Sequence, residues 1–121
     1  MFAIVDIETT GSHPAGNGIT EIAIFISDGQ NIVNQYSTLL NPAQPIPFHI
    51  QGLTGINDNM VADAPFFRDK SVEIRDLLAD HIFVAHNVNF DLSFVQAAFK
   101  SVGIDYKPRR LCTVRYARRV K

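Results

Sequence analysis

The sequence contains one cysteine, Cys112, and no tryptophan among its 121 residues. A single cysteine excludes a fold held by internal disulfides and fits a reducing compartment, for which the cytoplasm is the default expectation. No apolar run approaches the roughly 20 residues that a membrane-spanning helix needs. The N-terminus has no basic segment before its first apolar residues, so we expect no signal peptide.

Positive charge is missing from the first 67 residues, which contain six acidic residues but no Lys or Arg. Eight of the eleven basic residues fall between positions 100 and 121, although the formal net charge is only −1. A basic end on a near-neutral protein indicates an anionic partner such as a nucleic-acid backbone, or else a solvated helix face. The charge pattern by itself leaves both interpretations open.

Apolar runs and turn signals predict three strands, followed by helices that alternate with strands. Asp28-Gly29 is typical of a two-residue hairpin turn, and three prolines make Asn41–Phe48 an extended connection. This order favours one α/β domain over residues 1–121, with a mixed sheet and helices on both faces. The predicted strands are Phe2–Ile7, Ile19–Ser27, Ile32–Leu40, Ile82–Ala85 and Leu111-Cys112. The predicted helices are Ile50–Ile56, one from Ala64-Pro65 to Ala79, one capped by Asn87 or Asn89 and ended at Gly103, and Val114–Val120.

The tripeptide Asp6-Ile7-Glu8 ends the first predicted strand. Residues i and i+2 of a strand point to the same face, so the two carboxylates would project side by side. Like charges at that spacing are unfavourable unless a cation lies between them or one carboxyl is protonated. Hard oxygen ligands of this kind suit Mg²⁺ or Mn²⁺. A polar strand end that faces water is the alternative interpretation of the same residues.

A second polar cluster, Ala85-His86-Asn87-Val88-Asn89-Phe90-Asp91, lies where a buried strand passes into a helix. Sites in α/β proteins commonly form at the carboxyl ends of sheet strands. Asp91 falls in the first helical turn, where compensation of the helix dipole is the simpler explanation. Two strands that open at the same edge could nevertheless bring Asp91 opposite Asp6 and Glu8. Three converging carboxylates are the raw material of a two-metal phosphoryl-transfer site.

Together, D-I-E-T-T-G and A-H-N-V-N-F-D, with I-Q-G-L-T-G-I between them and L-C-T-V-R after them, closely resemble the DEDD exonucleases of the DEDDh type. The likeness covers the whole chain and is nearest to the proofreading epsilon subunit of bacterial DNA polymerase III. It implies a ribonuclease-H-like fold, a mixed five-stranded sheet with flanking helices. It also implies a metal-dependent 3′–5′ exonuclease that acts on single-stranded DNA or RNA ends, with DNA favoured.

The resemblance assigns a role to each matching residue of this chain. The catalytic metal ligands would be Asp6, which bridges two Mg²⁺ or Mn²⁺ ions, Glu8, which binds the first, and Asp91, which completes the carboxylate set. The other assigned positions would bind substrate. They are the backbone of Thr10 and Gly11 at the 3′-terminal nucleotide, Leu53 and Thr54 at its base and sugar, and His86, Asn87 and Phe90 along the strand. Core packing is the alternative for Leu53 and Phe90.

The third motif of the family, a histidine followed five residues later by an aspartate, does not occur after Asp91. No histidine follows His86, and the only later aspartate is Asp105. In the family this histidine is the general base and the aspartate is the fourth metal ligand. We therefore expect a partial exonuclease domain, truncated before its last helices, with little or no activity of its own.

Two further expectations follow from the missing helices. An uncovered apolar sheet face would favour a homo-oligomer. A complete parent protein would be an exonuclease that stands alone, works with DNA polymerase subunits or is fused to another nuclease domain. A non-catalytic nucleic-acid-binding or interaction module that keeps the fold is the alternative function. A phosphate-binding loop of the G-x-G-x-x-G or G-x-x-x-x-G-K-S/T kind does not occur in the sequence.

Overall fold

Five strands form one mixed sheet in the order β3-β2-β1-β4-β5 in the computed structural model, which describes residues 1–113. The first three strands make an antiparallel meander, and β4 and β5 run parallel to β1. This architecture confirms the predicted mixed α/β sheet. The predicted helix Val114–Val120 lies outside the described residues. The strands are β1 Phe2–Thr9, β2 Ile19–Ser27, β3 Ile32–Leu39, β4 Ile82–Ala85 and β5 Arg110–Cys112.

Four helices connect the strands, and three of them agree with the predicted segments. Gly55 ends the first helix with a positive φ of 76°, and Gly103 takes φ 82° just beyond the last one, as expected of glycine at helix C-termini. The four-residue α2 was not predicted, because one helical turn is too short to show periodicity. The helices are α1 Phe48–Thr54, α2 Asp58–Val61, α3 Phe67–Leu78 and α4 Val88–Ser101.

Two local predictions were wrong in detail. The β2–β3 hairpin has four loop residues rather than two, because the Asp28 carboxylate accepts hydrogen bonds from the amides of Gln30 and Asn31 and so widens the turn. Phe48 belongs to α1 instead of the extended connection. Pro47 stands at the N-cap position of that helix, where its fixed φ starts the helix without any loss of hydrogen bonds.

The core lies on one face of the sheet. Alternate residues of β1, namely Ala3, Val5 and Ile7, are buried there against both long helices. Their partners from α3 and α4 include Ile74 and Leu92, both fully buried. Within residues 1–113 the two long helices thus cover the same face, and helices on both faces of the sheet stay a prediction, because the predicted helix Val114–Val120 lies outside these residues.

The opposite face of the sheet carries the other residues of each strand. Phe2, Ile4 and Phe25 stand on it and are half-buried, because the cross-strand register places Ile4 beside Phe25. Asp6 and Glu8 continue the same row toward the end of β1.

None of the helices in the described part of the chain is long and apolar enough to span a bilayer.

Leu92→Ala should lower the free energy of unfolding by about 2–5 kcal/mol, because it leaves a cavity in the fully buried core. Leu53→Ala is the matched control. Its side chain is 80% exposed on α1, so its loss should change stability by no more than about 0.5 kcal/mol. Urea denaturation of both variants measures the difference. Equal destabilisation by the two substitutions would contradict the assignment of Leu53 to the surface.

Candidate active site

Asp6 and Glu8 project from the same face of β1, opposite the core. The strand alternates in burial, so that Ile7 between them is buried while Asp6 is exposed and Glu8 half-buried. The prediction that these two carboxylates share a face is therefore confirmed. A shift in register between Glu8 and Thr9 ends the regular pairing with β2, so the carboxylates lie where the strand begins to leave the sheet.

Asp91 reaches the same edge through the parallel pairing of β1 with β4. Ile4 pairs with Val84, and β4 ends one residue later at Ala85. Only His86 and Asn87 separate the strand from α4, whose first turn contains Asp91. Because parallel strands end at the same edge, this short connection brings Asp91 back to the end of β1.

The pKa of Asp91 indicates that the two motifs interact. Asp91 is only 7% exposed, and its burial and the negative charge of Asp6 raise its pKa from the ordinary 3.8 to about 6. The backbone amide of Ile7 opposes this shift by a hydrogen bond to the carboxylate, and Glu8 adds a weaker repulsion. Residues 85 positions apart in the sequence therefore interact directly, which no local pattern could have established.

The charged form of Glu8 is also disfavoured at this site. Burial raises the pKa of its carboxyl, and the charges of Asp6 and Glu21 add to the effect. Glu21 is the residue that the sequence analysis missed at this site. It lies directly across from Glu8 in the β1–β2 register. The signal that could have revealed it is the register of the first hairpin, which had to be known before the pair could be recognised.

A divalent cation would fit the chemistry of this edge. The carboxylates repel one another, and a cation between them would remove the unfavourable energy that their raised pKa values report. Oxygen ligands are those that Mg²⁺ and Mn²⁺ prefer. The side chains of residues 1–113 do not, however, form a preformed group of three His, Cys, Asp or Glu ligands. The chemistry of the carboxylate donors fits such an ion.

The loop after β1 is held by Thr10, which is almost fully buried. Its hydroxyl lies 2.8 Å from the side-chain oxygen of Asn17 and 3.3 Å from that of Gln44, and it accepts a hydrogen bond from the amide of Gly18. A Cβ on Gly11 would stand 2.6 Å from the Asn17 side chain, so glycine is required here for packing inside the loop. The backbone amide of Thr10 also donates a 3.0 Å hydrogen bond to the carbonyl of Gly18, so its hydroxyl and its amide are both bonded within the chain.

The predicted substrate residues of α1 have different surroundings. Leu53 is 80% exposed, which excludes the core-packing alternative. The Thr54 hydroxyl donates to the carbonyl of Ile50 and accepts from the amide of Ile56, so it closes the C-terminal turn of α1. Leu53 thus has a side chain free to meet a ligand, whereas the Thr54 hydroxyl is already bonded within the chain.

The predicted substrate residues of the second motif also differ in exposure. His86 and Asn87 are exposed at the end of β4, and the Asn87 side chain makes no capping hydrogen bond to α4. Phe90 is half-buried, packs on the core and contacts the Phe94 ring at 5.1 Å between centroids. The core-packing alternative therefore holds for Phe90, although part of its ring remains accessible. Asn89, which was not predicted as a site residue, accepts a 3.4 Å contact from Arg110.

Residues 3–121 match the family model described as RNase_T, Exonuclease. The chain belongs to the RNase_T exonuclease family. This assignment places it in the DEDD superfamily, whose members generally use divalent metal ions, and it agrees with the carboxylate-rich edge described above. The closer likeness to the polymerase III epsilon subunit remains a prediction.

Known proteins that resemble the chain are exonucleases. The 3′-5′ exonuclease DinG of Staphylococcus aureus (strain USA300) is 41% identical over 110 residues, which are 91% of this chain and 12% of DinG. Exonuclease X, solved in complex with 5′ overhanging duplex DNA, is 32% identical with a TM-score of 0.77, and the match covers 99% of this chain and 64% of exonuclease X. E. coli exonuclease I in complex with a dT13 oligonucleotide has a TM-score of 0.86. Its 19% identity shows the fold alone, over 98% of this chain and 29% of exonuclease I.

Asp91→Asn should stabilise the metal-free chain at pH 8. The pKa of Asp91 is raised in the folded state, so its favourable contribution is present below pH 4 and is lost as the pH rises through about 6. Removing the charge should therefore increase the free energy of unfolding at pH 8 by on the order of 1–2 kcal/mol.

Denaturation curves in EDTA at pH 4 and pH 8 measure this effect. Asp28→Asn is the control, because backbone amides lower the pKa of that exposed carboxyl and no gain at pH 8 is expected. A wild-type chain that equals or exceeds Asp91→Asn in stability at pH 8 would refute the repulsion between Asp91 and Asp6.

Proposed function

We propose that the chain is the metal-binding part of an exonuclease domain that removes nucleotides from the 3′ end of single-stranded nucleic acid, with DNA as the favoured substrate. The 3′–5′ polarity is supported by the name of the DinG relative. The preference for DNA is supported by the complexes in which exonuclease X and exonuclease I were solved. The chain spans only 12% of DinG, so the activity of a complete protein is part of the proposal.

The observation that carries the proposal is the coupling of Asp91 to Asp6. A carboxylate that is 7% exposed and repelled by another carboxylate is unfavourable in a folded protein. Such arrangements cluster at functional sites, where a substrate or cofactor restores the balance. In a chain of the RNase_T exonuclease family, the restoring group would be a divalent cation.

In this site Asp6, Glu8 and Asp91 would hold Mg²⁺ or Mn²⁺, with two ions in the complete site and Asp6 between them. The ions would supply charge stabilisation and activation of water for hydrolysis of the phosphodiester bond. Glu21, across the sheet from Glu8, would help keep a cation by its added negative charge.

The other side chains would bind and orient the nucleic acid. The backbone of Thr10 and Gly11 is presented at the end of β1 by the Thr10–Asn17 contact and would meet the terminal nucleotide. Leu53 would pack on its base, and the half-buried Thr54 would contact the sugar through its methyl group. The exposed His86 and Asn87 and the accessible part of the Phe90 ring would follow the strand beyond it.

A general base is not supplied by the residues assigned here. The sequence after Asp91 has no H-x-x-x-x-D pair, and in the family this pair provides the base and a fourth ligand. The 121 residues would therefore hydrolyse DNA slowly or not at all. The second candidate function is a non-catalytic nucleic-acid-binding module that retains the fold.

A 3′-labelled single-stranded oligonucleotide tests the proposed function. With Mn²⁺ or Mg²⁺ the chain should release the label at a rate about 10²–10⁴-fold below that of exonuclease X, because general-base catalysis contributes a factor of that size. Asp6→Asn should abolish the release, and a 5′ label should remain attached to shortened products. Asp28→Asn, in the exposed hairpin turn, is the matched control and should behave as the wild-type chain.

The outcomes separate the two candidate functions. DNA binding without any release of label would support the binding module. Release that persists in Asp6→Asn would contradict the assigned metal site. Rapid trimming at the rate of exonuclease X would contradict the need for a further histidine and aspartate.

We also propose that the half-buried face of the sheet associates with a second copy of the chain. Phe2, Ile4 and Phe25 are incompletely covered within residues 1–113, and their burial would be favourable. Light scattering at increasing concentration should give a mass above the 13.5 kDa of one chain. A constant monomer mass at high concentration would contradict the association.

In a parent protein, polymerase subunits or a fused nuclease domain would cover the same face of the sheet. The cytoplasm is the proposed compartment.

A further inference from the structure

Helix α1 exposes two large apolar side chains and contains no charged residue. Phe48 is 89% exposed and Leu53 is 80% exposed, the two highest values among the large hydrophobic residues described. Positions 41–57 contain no Asp, Glu, Lys or Arg. Exposed apolar side chains of this size on one short element mark a contact surface, because their burial by a ligand is favourable.

The helical spacing gathers the exposed residues of α1 on one side. Taking about 100° per residue, Phe48, Gly52, His49 and Leu53 follow one another over an arc of about 140°. All four are exposed, and we call them the outer arc of α1. A Cβ built on Gly52 would meet nothing within 4 Å. The arc therefore has an open space over Gly52, with Phe48 and Leu53 at its two ends.

The opposite side of α1 holds the helix in place. Ile50 packs on a small separate core of Ile46, Ile56 and Val61. The Gln51 side chain donates a 2.9 Å hydrogen bond to the carbonyl of Ile46, at the turn before the helix. Ile50 and Gln51 thus attach α1 to the rest of the chain, and the outer arc lies on the side of the helix away from these contacts.

The segment that leads into α1 contacts the loop that follows β1. Gln44, four residues before the helix, contacts the hydroxyl of Thr10 at 3.3 Å. Thr10 directly follows the end of β1, which carries Asp6 and Glu8. Leu53, at one end of the arc, is already assigned to the terminal base under the proposed function. Phe48 and Gly52 extend that surface away from the terminal nucleotide.

We propose that the outer arc of α1 binds an unpaired nucleobase, which stacks on Phe48 and occupies the space over Gly52. The inference rests on the proposed function, since it concerns the same nucleic acid. A base is flat, aromatic and uncharged, and it matches a helix that exposes an aromatic ring and has no charged residue of its own. Aromatic side chains stack on bases of single strands with little dependence on sequence. A phosphate would find no cation in positions 41–57.

Binding of the 121-residue chain to a ten-residue oligothymidylate in EDTA, where hydrolysis is blocked, measures the contact. Phe48→Ala should weaken binding by about 5- to 150-fold, the range expected for loss of one stacked base. Gly52→Leu should weaken it similarly by filling the space, and should raise the Tm because leucine favours a helix over glycine. Val72→Ala, an exposed apolar residue on α3, is the control and should bind as the wild type.

Two further measurements distinguish base stacking from other contacts. An oligonucleotide of the same length with abasic sugars should bind wild type and Phe48→Ala equally, because the base is the group that Phe48 contacts. Phe48→Trp introduces the only tryptophan of the chain. Its fluorescence should be quenched by the oligothymidylate and should stay unchanged with the abasic strand.

The inference is overturned if Phe48→Ala and Gly52→Leu bind the oligothymidylate as the wild type does, while the proposed function stands. It is also overturned if Phe48→Ala abolishes self-association in light scattering and leaves DNA binding intact, since the occupant is then a second copy of the chain. Failure of the wild-type chain to bind any single strand in EDTA would overturn the inference alone, because the release of label with Mn²⁺ or Mg²⁺ tests the proposed function separately.

Discussion

The parallel pairing of β1 with β4 is the constraint on which the site depends. Both strands end at the same edge of the sheet, so the acids of β1 and the helix that follows β4 are forced together. The pairing is short, with Ile4 opposite Val84 as its last pair. It is supported by the core below, where the long helices bury alternate residues of both strands. The packing of the core thus holds the repelling carboxylates together at the edge where β1 and β4 end.

This arrangement explains why the carboxylates remain in an unfavourable position. The core supplies the burial energy, and the site uses part of it to keep Asp91 almost excluded from water beside Asp6. A carboxylate that could turn freely to solvent would lose its raised pKa and with it much of its affinity for a cation. The buried and repelled carboxylate therefore lowers the stability of the fold at this edge of the sheet, and the same arrangement gives the edge its capacity to bind a cation.

Polar groups around the edge divide into those that support the site and those that remain available. Thr10, Asn17 and Gln44 satisfy one another and give the loop after β1 its shape. Leu53 and Phe48 are exposed on an uncharged helix that the same loop contacts through Gln44. Binding sites commonly combine such polar residues, whose hydrogen bonds are made within the protein, with neighbouring apolar and acidic side chains that remain available to a ligand.

Local patterns in the sequence were sufficient for most of the fold. The alternation of β1 and the apolar run of β4 follow from periodicity, and Gly55 and Gly103 end their helices as glycine usually does. The motifs containing Asp6, Glu8 and Asp91 were recognisable because each is contiguous. The four-residue hairpin loop was missed because a side-chain hydrogen bond, made by Asp28, decided its length.

The sequence by itself determined the strands, the main helices and the family, since these depend on residue type and spacing within short segments. Only the tertiary structure decided that α3 and α4 cover the same face, that Glu21 stands opposite Glu8, and that Leu53 is exposed while Phe90 packs on the core. These properties depend on strand register and on contacts between residues far apart in the chain. The raised pKa of Asp91 belongs to the same group, because its causes are burial and the charge of a residue on another strand.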